Sequence, residues 1–269
     1  MRYCLLVLLT VLFSDFSYSQ NKIHVSGQAK TYAGDRLQVN AVQDFITRKQ
    51  ELKSACTVDS SGFFNLSFEA SQTALYAMPL GVFEGRFYAR PGDTLHLVLP
   101  RKTLPDKQDS LNPFFRPEKY YLRNLYRIEE DITALIKAFE KAYNKEMRRL
   151  FADFSGRIAS GKIDSAVHHI DSMFSGKKPR FFNDYVFYRY AALRHLAYQK
   201  DAADYLQDYF IDRPVLYNNP AYTEALDLAA GNRLSTREIN ALFRKRKNED
   251  TRSKLNARLL EETKSDDEQ

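Results

Sequence analysis

The chain has 269 residues, 44% of them hydrophobic and 28% charged, with a formal net charge of +6. That composition excludes a disordered polypeptide and leaves apolar material for one large core or two modest ones. The charge is modest for this length; in an exported protein it would favour anionic lipid, cell-wall or polysaccharide surfaces over nucleic acid.

Arg2 gives a positive start, Leu5 to Phe13 form a short apolar run, and Ser17-Tyr18-Ser19 supplies small residues where a signal peptidase reads. This predicts a secretory signal peptide over residues 1–19, with Gln20 as the new N-terminus. The run falls well short of the roughly 20 apolar residues that a membrane-spanning helix needs. No later segment is long and apolar enough to span a bilayer, and Cys4 lies outside any lipobox. Export would also remove the chain from ATP and most cytosolic cofactors.

From Ile23 to Leu99 the period is two. Leu37, Val39 and Ala41 alternate with polar neighbours, as do Phe64, Leu66 and Phe68, then Tyr76, Met78 and Leu80, then Leu95, Leu97 and Leu99. Each set falls on one face of a strand. Asp59-Ser60-Ser61-Gly62 and Arg90-Pro91-Gly92-Asp93 are turn sequences, the second with Pro and Gly where a type II turn requires them. The expectation is an antiparallel β-sandwich over residues 20–100. After signal cleavage Cys56 is the one remaining thiol, so no intramolecular disulfide can form. It reads as a small buried hydrophobe in a strand, with a mixed disulfide to a partner or a redox role as alternatives.

Residues 101–117 read as a linker rich in Pro, Lys and Asp. Beyond it the period changes to three and four. Ile128, Ile132, Leu135, Ile136, Phe139, Tyr143, Met147, Leu150, Phe151, Phe154 and Ile158 form one apolar stripe, predicting a long helix that Gly161 would stop. Shorter helices follow: one capped by Asp164 or Ser165 and running to about Phe174, one over about 181–200, and one over about 202–211. Asn219-Pro220 opens another in cap-then-proline order. Together they make an all-α module over 118–232, and the fold class is α+β. Ser235-Thr236-Arg237-Glu238 matches a capping box for a charged helix and tail over 233–269.

Chemical motifs are sparse. Gly156 to Ile163 is one residue from a phosphate-binding P-loop, but Ile163 replaces the hydroxyl that would hold magnesium. Adjacent His168 and His169 point about 100° apart on a helix and cannot chelate one ion unaided, and His24, His96 and His195 are distant in sequence. No Gly-x-Ser-x-Gly or Gly-x-Gly-x-x-Gly occurs, so no metal, cofactor or catalytic residue is assigned. Phe181, Phe182, Tyr185, Phe187, Tyr188 and Tyr190 read first as core packing, second as a stacking surface for sugars or peptides. Arg244, Lys245, Arg246 and Lys247 head a basic stretch that could contact an anionic surface.

The order of several short motifs resembles a known family. They are Asp59-x-x-Gly62-x-Phe64, Arg90-Pro91-Gly92-Asp93, Asn112-Pro113-Phe114-Phe115, Phe181-Phe182-x-Asp184-Tyr185 and Pro214 to Tyr222. Over about residues 22–230 the chain resembles the N-terminal portion of TlpA-like thiol:disulfide interchange proteins of the Bacteroidota envelope. The resemblance implies an exported protein of the periplasm or cell envelope of a Gram-negative bacterium. Those relatives place a Cys-x-x-Cys pair in a thioredoxin-like domain, and this sequence has no such pair, so no redox residue transfers. Four tripeptides, starting at Asp93, Asp109, Asp164 and Asp171, also resemble the O-glycosylation acceptor of exported proteins in that phylum. The expectation is a non-catalytic binding or scaffold module acting on an envelope protein or anionic surface. An accessory or truncated part of a thiol:disulfide system, with Cys56 as a possible partner thiol, is the first alternative. An envelope hydrolase without recognisable motif is the second.

Overall fold

The computed structural model describes residues 21–126, 131–151, 160–176, 178–196 and 202–231. The expected signal peptide, the capping box and the basic run Arg244 to Lys247 lie outside them.

Seven strands precede residue 99: β1 (Lys22–Gln28), β2 (Arg36–Val42), β3 (Gln50–Thr57), β4 (Phe63–Glu69), β5 (Ala74–Leu80), β6 (Phe83–Ala89) and β7 (Thr94–Val98). The alternating residues named above fall on buried strand faces, except Leu99, which lies just past β7 and is half-buried, and β5 is buried on its other face as well. Both turns form as their sequences require. The Gly62 amide donates to the Asp59 carbonyl at 3.0 Å, and the Asp93 amide donates to the Arg90 carbonyl at 3.1 Å. Gly92 takes a φ of 85°, which a side chain would resist at the third position of a type II turn.

Strands continue past the expected sandwich boundary. After a short helix α1 (Lys107–Leu111), whose first turn Asp106 caps, come β8 (Glu118–Tyr121) and β9 (Arg123–Asn124). The four-stranded sheet runs β4-β1-β7-β9 and the five-stranded sheet β3-β2-β5-β6-β8. Neither is wholly antiparallel, in contrast to expectation. β1 pairs parallel with β7, and β6 with β8. Both pairings join strands separated by long stretches of chain, which parallel connections need. Gly27 permits the close approach of β1 and β7. A Cβ there would lie 2.4 Å from the Leu97 carbonyl oxygen and 2.7 Å from the Phe64 ring.

The helical part starts at Ile132, not at residue 118. It comprises α2 (Ile132–Phe151), α3 (Ser160–Met173), α4 (Arg180–Leu196), α5 (Ala202–Tyr209) and α6 (Pro220–Gly231). Within α2 the expected stripe buries Ile132, Ile136, Phe139 and Tyr143, while Ile128, Phe154 and Ile158 lie outside the described residues. Gly161 does not end a helix: it lies within α3, as do Asp164 and Ser165. Asn219 caps α6 as expected, its Oδ1 accepting the Ala221 amide at 3.1 Å.

The five-stranded sheet buries both faces. On one side Leu37, Val39, Tyr76, Met78 and Phe87 share a cluster with Ile23, Val25, Phe64, Leu66, Leu95 and Leu97 of the other sheet. On the other side Val42, Leu75, Ala77 and Tyr88 share a cluster with residues of α2, α3, α4 and α6. The five-stranded sheet thus separates two apolar clusters, one shared with the helices and one with the other sheet, and three layers result. Polar ties reinforce the seam. The Tyr88 amide donates to Thr133 Oγ1 at 2.8 Å at the start of α2, and Asn218 Nδ2 donates to the Thr73 carbonyl at 2.6 Å.

Candidate functional site

The N-terminal half of α4 and the segment before α6 enclose a half-open cleft of about 350 Å³. Helical spacing brings Arg180, Asn183, Asp184 and Phe187 of α4 to it, while Arg213, Pro214 and Leu216 close the opposite side. The Arg213 guanidinium sits over the Phe187 ring, 4.7 Å from its centroid, and its Nε donates to the Asp208 carbonyl at 3.1 Å. Arg180 Nε is 3.8 Å from Asp184 Oδ2, a loose pair across one helical turn. Burial raises the Asp184 carboxyl and Arg180 opposes that only in part. Tyr188 backs the cleft; its hydroxyl donates to the Tyr209 carbonyl at 3.2 Å, and burial, then Tyr222, pushes it up to about 12. Phe187 is half-buried, packing on Tyr188 and Tyr209 while it also lines the cleft, and Phe182, Tyr185, Tyr188 and Tyr190 are buried as the core reading expects.

Behind the cleft an ion network fixes α4. Arg189 Nε lies 2.8 Å from Glu140 Oε1, its Nη2 donates to Glu140 Oε2 at 3.0 Å, and its Nη1 donates to Glu224 at 3.0 Å. The guanidinium also packs 4.4 Å from the Tyr143 ring centroid, and the Tyr185 hydroxyl donates to Glu140 at 2.8 Å. Burial opposes the Arg189 charge, but Glu140, Tyr143 and Glu224 together more than reverse this, so its pKa rises. One guanidinium thereby joins α2, α4 and α6. Sequence reasoning missed this. The available signal was Arg189 set between Tyr188 and Tyr190, and it named no partner.

A second constellation lies on the outer face of the four-stranded sheet. Parallel register sets Ser26 beside His96, and Ser26 Oγ is 2.8 Å from His96 Nδ1. Tyr126 meets the imidazole edge-on with centroids 4.8 Å apart, and the His96 amide donates to Asn124 Oδ1 at 2.9 Å. A hydroxyl on an imidazole nitrogen is half of a nucleophile–base pair, and full acyl-transfer chemistry also needs an orienting group and oxyanion donors.

The remaining histidines do not converge. His24 lies on β1 opposite Thr94, His168 and His169 are exposed on α3, and His195 is buried against Tyr205 with centroids 4.6 Å apart. Among the described residues no three His, Cys, Asp or Glu side chains are arranged to hold a metal ion. Thr94, Ser110, Ser165 and Ser172, the hydroxyls of the four tripeptides, are all exposed.

Cys56 is half-buried on β3 and packs against the core between the sheets. Burial pushes its thiol up, and a backbone hydrogen bond from Asn65 only partly offsets this. Little thiolate therefore forms near neutrality, and the thiolate is the reactive species. Alkylation of native protein by iodoacetamide at pH 8 is expected to be at least about tenfold slower than in urea. The native rate is expected to keep rising above pH 9, the ordinary thiol value. A native rate equal to the unfolded one would favour Cys56 as a partner thiol.

Comparison with family models, with curated proteins and with solved structures finds no match to this chain. Among the described residues no helix is long and apolar enough to cross a membrane.

Proposed function

We propose that this chain is an exported envelope protein that acts by binding, as the non-catalytic β-plus-helical portion of a TlpA-like architecture. The observation that carries this reading is the cleft on α4. A recessed surface with two guanidiniums and an aromatic wall is a recognition chemistry, since such walls bury a ligand while a few polar groups orient it. The Arg189 network behind it supports the reading further, because a wall fixed by buried charge loses little entropy when a partner docks.

The hydrolase reading has one specific observation in its favour, the Ser26–His96 contact. Fluorophosphonate labelling and turnover of p-nitrophenyl acetate by the purified full chain separate the two. The binding reading expects no labelling of Ser26 and the same background hydrolysis in Ser26→Ala as in wild type. Turnover above buffer that disappears in Ser26→Ala and in His96→Gln would overturn it.

A further inference from the structure

We propose that the α4 cleft binds a carboxylate carried on an apolar or aromatic group, with the carboxylate on Arg213 and Arg180 and the apolar part against Phe187, Pro214 and Leu216. The inference rests on the binding reading and names its ligand class.

Volume comes first. A cleft of about 350 Å³ is at the small end of ligand sites, so it takes a small molecule or a chain end, not a folded surface. Charge comes next. The lining carries two arginines and one carboxylate, Asp184, which pairs loosely with Arg180 and is disfavoured by its partial burial. A second negative group entering near the arginines relieves the imbalance, whereas an ammonium would add to it. Geometry then selects among anions. Arg213 is held at two points, the Phe187 ring and the Asp208 carbonyl, so its planar fork is already ordered before a planar carboxylate arrives. The Phe187 ring, Pro214 and Leu216 supply the apolar side of the same space, which a bare inorganic anion would leave unfilled. Asp184 acts as the resident competitor. Its 3.8 Å approach to Arg180 is long enough for an incoming carboxylate to displace.

Calorimetric titration of the full chain with 3-phenylpropionate, 3-phenylpropanamide and 3-phenylpropylamine tests this. The acid is expected to bind, with the amide and the amine at least about tenfold weaker, as for loss of one charge-assisted pair. Arg213→Met is expected to weaken the acid by about tenfold and Arg180→Gln by about threefold, while Asp184→Asn tightens it several-fold. The sign of the Asp184→Asn change is the sharpest reading, because a cationic ligand would respond in the opposite direction. Arg180 is exposed at the surface, so its variant serves if Arg213→Met fails to fold. A peptide ending in phenylalanine with a free carboxylate, compared with its amidated form, distinguishes a chain end from a free acid. Tighter binding of the free-ended peptide than of 3-phenylpropionate identifies the former, and the reverse identifies the latter. Equal binding of acid and amide, no binding of the acid up to about 10 mM, or an unchanged affinity in both arginine variants would overturn the proposal. Such a failure removes the ligand class alone, whereas Ser26-dependent turnover removes the binding reading itself.

Discussion

Phe139→Ala is expected to remove about 4 kcal/mol of folding stability, the largest loss from any single truncation in the helical layer. The side chain is fully buried, and its ring lies between 5.7 and 6.1 Å from those of Tyr143, Phe174, Phe182, Tyr185 and Tyr190. Removing it opens a hole walled by five aromatic rings, and stiff rings cannot collapse into the space as aliphatic chains would. The lost transfer free energy and the cavity penalty therefore add. Urea denaturation followed by circular dichroism measures the loss, and thermal melting should fall by roughly 8 to 16 °C. Phe139→Leu, which keeps much of the volume, is expected to lose under about 1.5 kcal/mol. Similar losses in the two variants would mean that the site relaxes freely and is not a packing hub.

Arg189→Met is expected to cost about 3 kcal/mol, because it strands Glu140 without its counter-charge. The arginine side chain is 12% exposed and Glu140 22%, so water reaches the carboxylate only in part. The methionine keeps the packing on the Tyr143 ring, so most of the penalty belongs to the orphaned charge. It follows that Arg189→Met combined with Glu140→Leu should be more stable than Arg189→Met alone. The double variant keeps a deficit of about 1 kcal/mol, since the Tyr185 hydroxyl has lost its acceptor. Glu224 is 57% exposed and tolerates the change. A double-mutant cycle on urea midpoints reads the coupling directly. Additive losses would show that the network contributes orientation without stability.

Much of this fold was legible because burial follows period. Phe64, Leu66 and Phe68 on β4, and Ile132, Ile136 and Phe139 on α2, lie where alternation and helical spacing place them. β5 was read only in half. Tyr76 and Met78 were assigned to a core face, while Leu75 and Ala77 between them are buried under helices, a second burial that a period of two does not announce. Strand direction was not legible either. Nothing in Lys22 to Gln28 says that its neighbour is Thr94 to Val98 or that the two run parallel. β8 and β9 escaped because Glu-Lys-Tyr-Tyr and Arg-Asn are too short and polar to carry a pattern. The Ser26–His96 pair and the Glu140–Arg189 pair join residues 70 and 49 apart, so each became visible only once topology had brought its members together. The aromatic residues of α4 pack as the core reading expects, with Phe181 and Phe187 only half-buried, and the cleft that Phe187 also lines depends on the Arg213 loop packing against that ring.

The central place of β1 between β4 and β7 has a consequence for how the polypeptide matures. Synthesis proceeds from the N-terminus at about 5–20 residues per second, and β1 precedes its β7 neighbour by some 70 residues. For roughly 4 to 14 s β1 therefore has at least one unsatisfied hydrogen-bonding edge, a template for pairing with the wrong chain. A nascent molecule of this topology has reason to meet a holdase before it is complete.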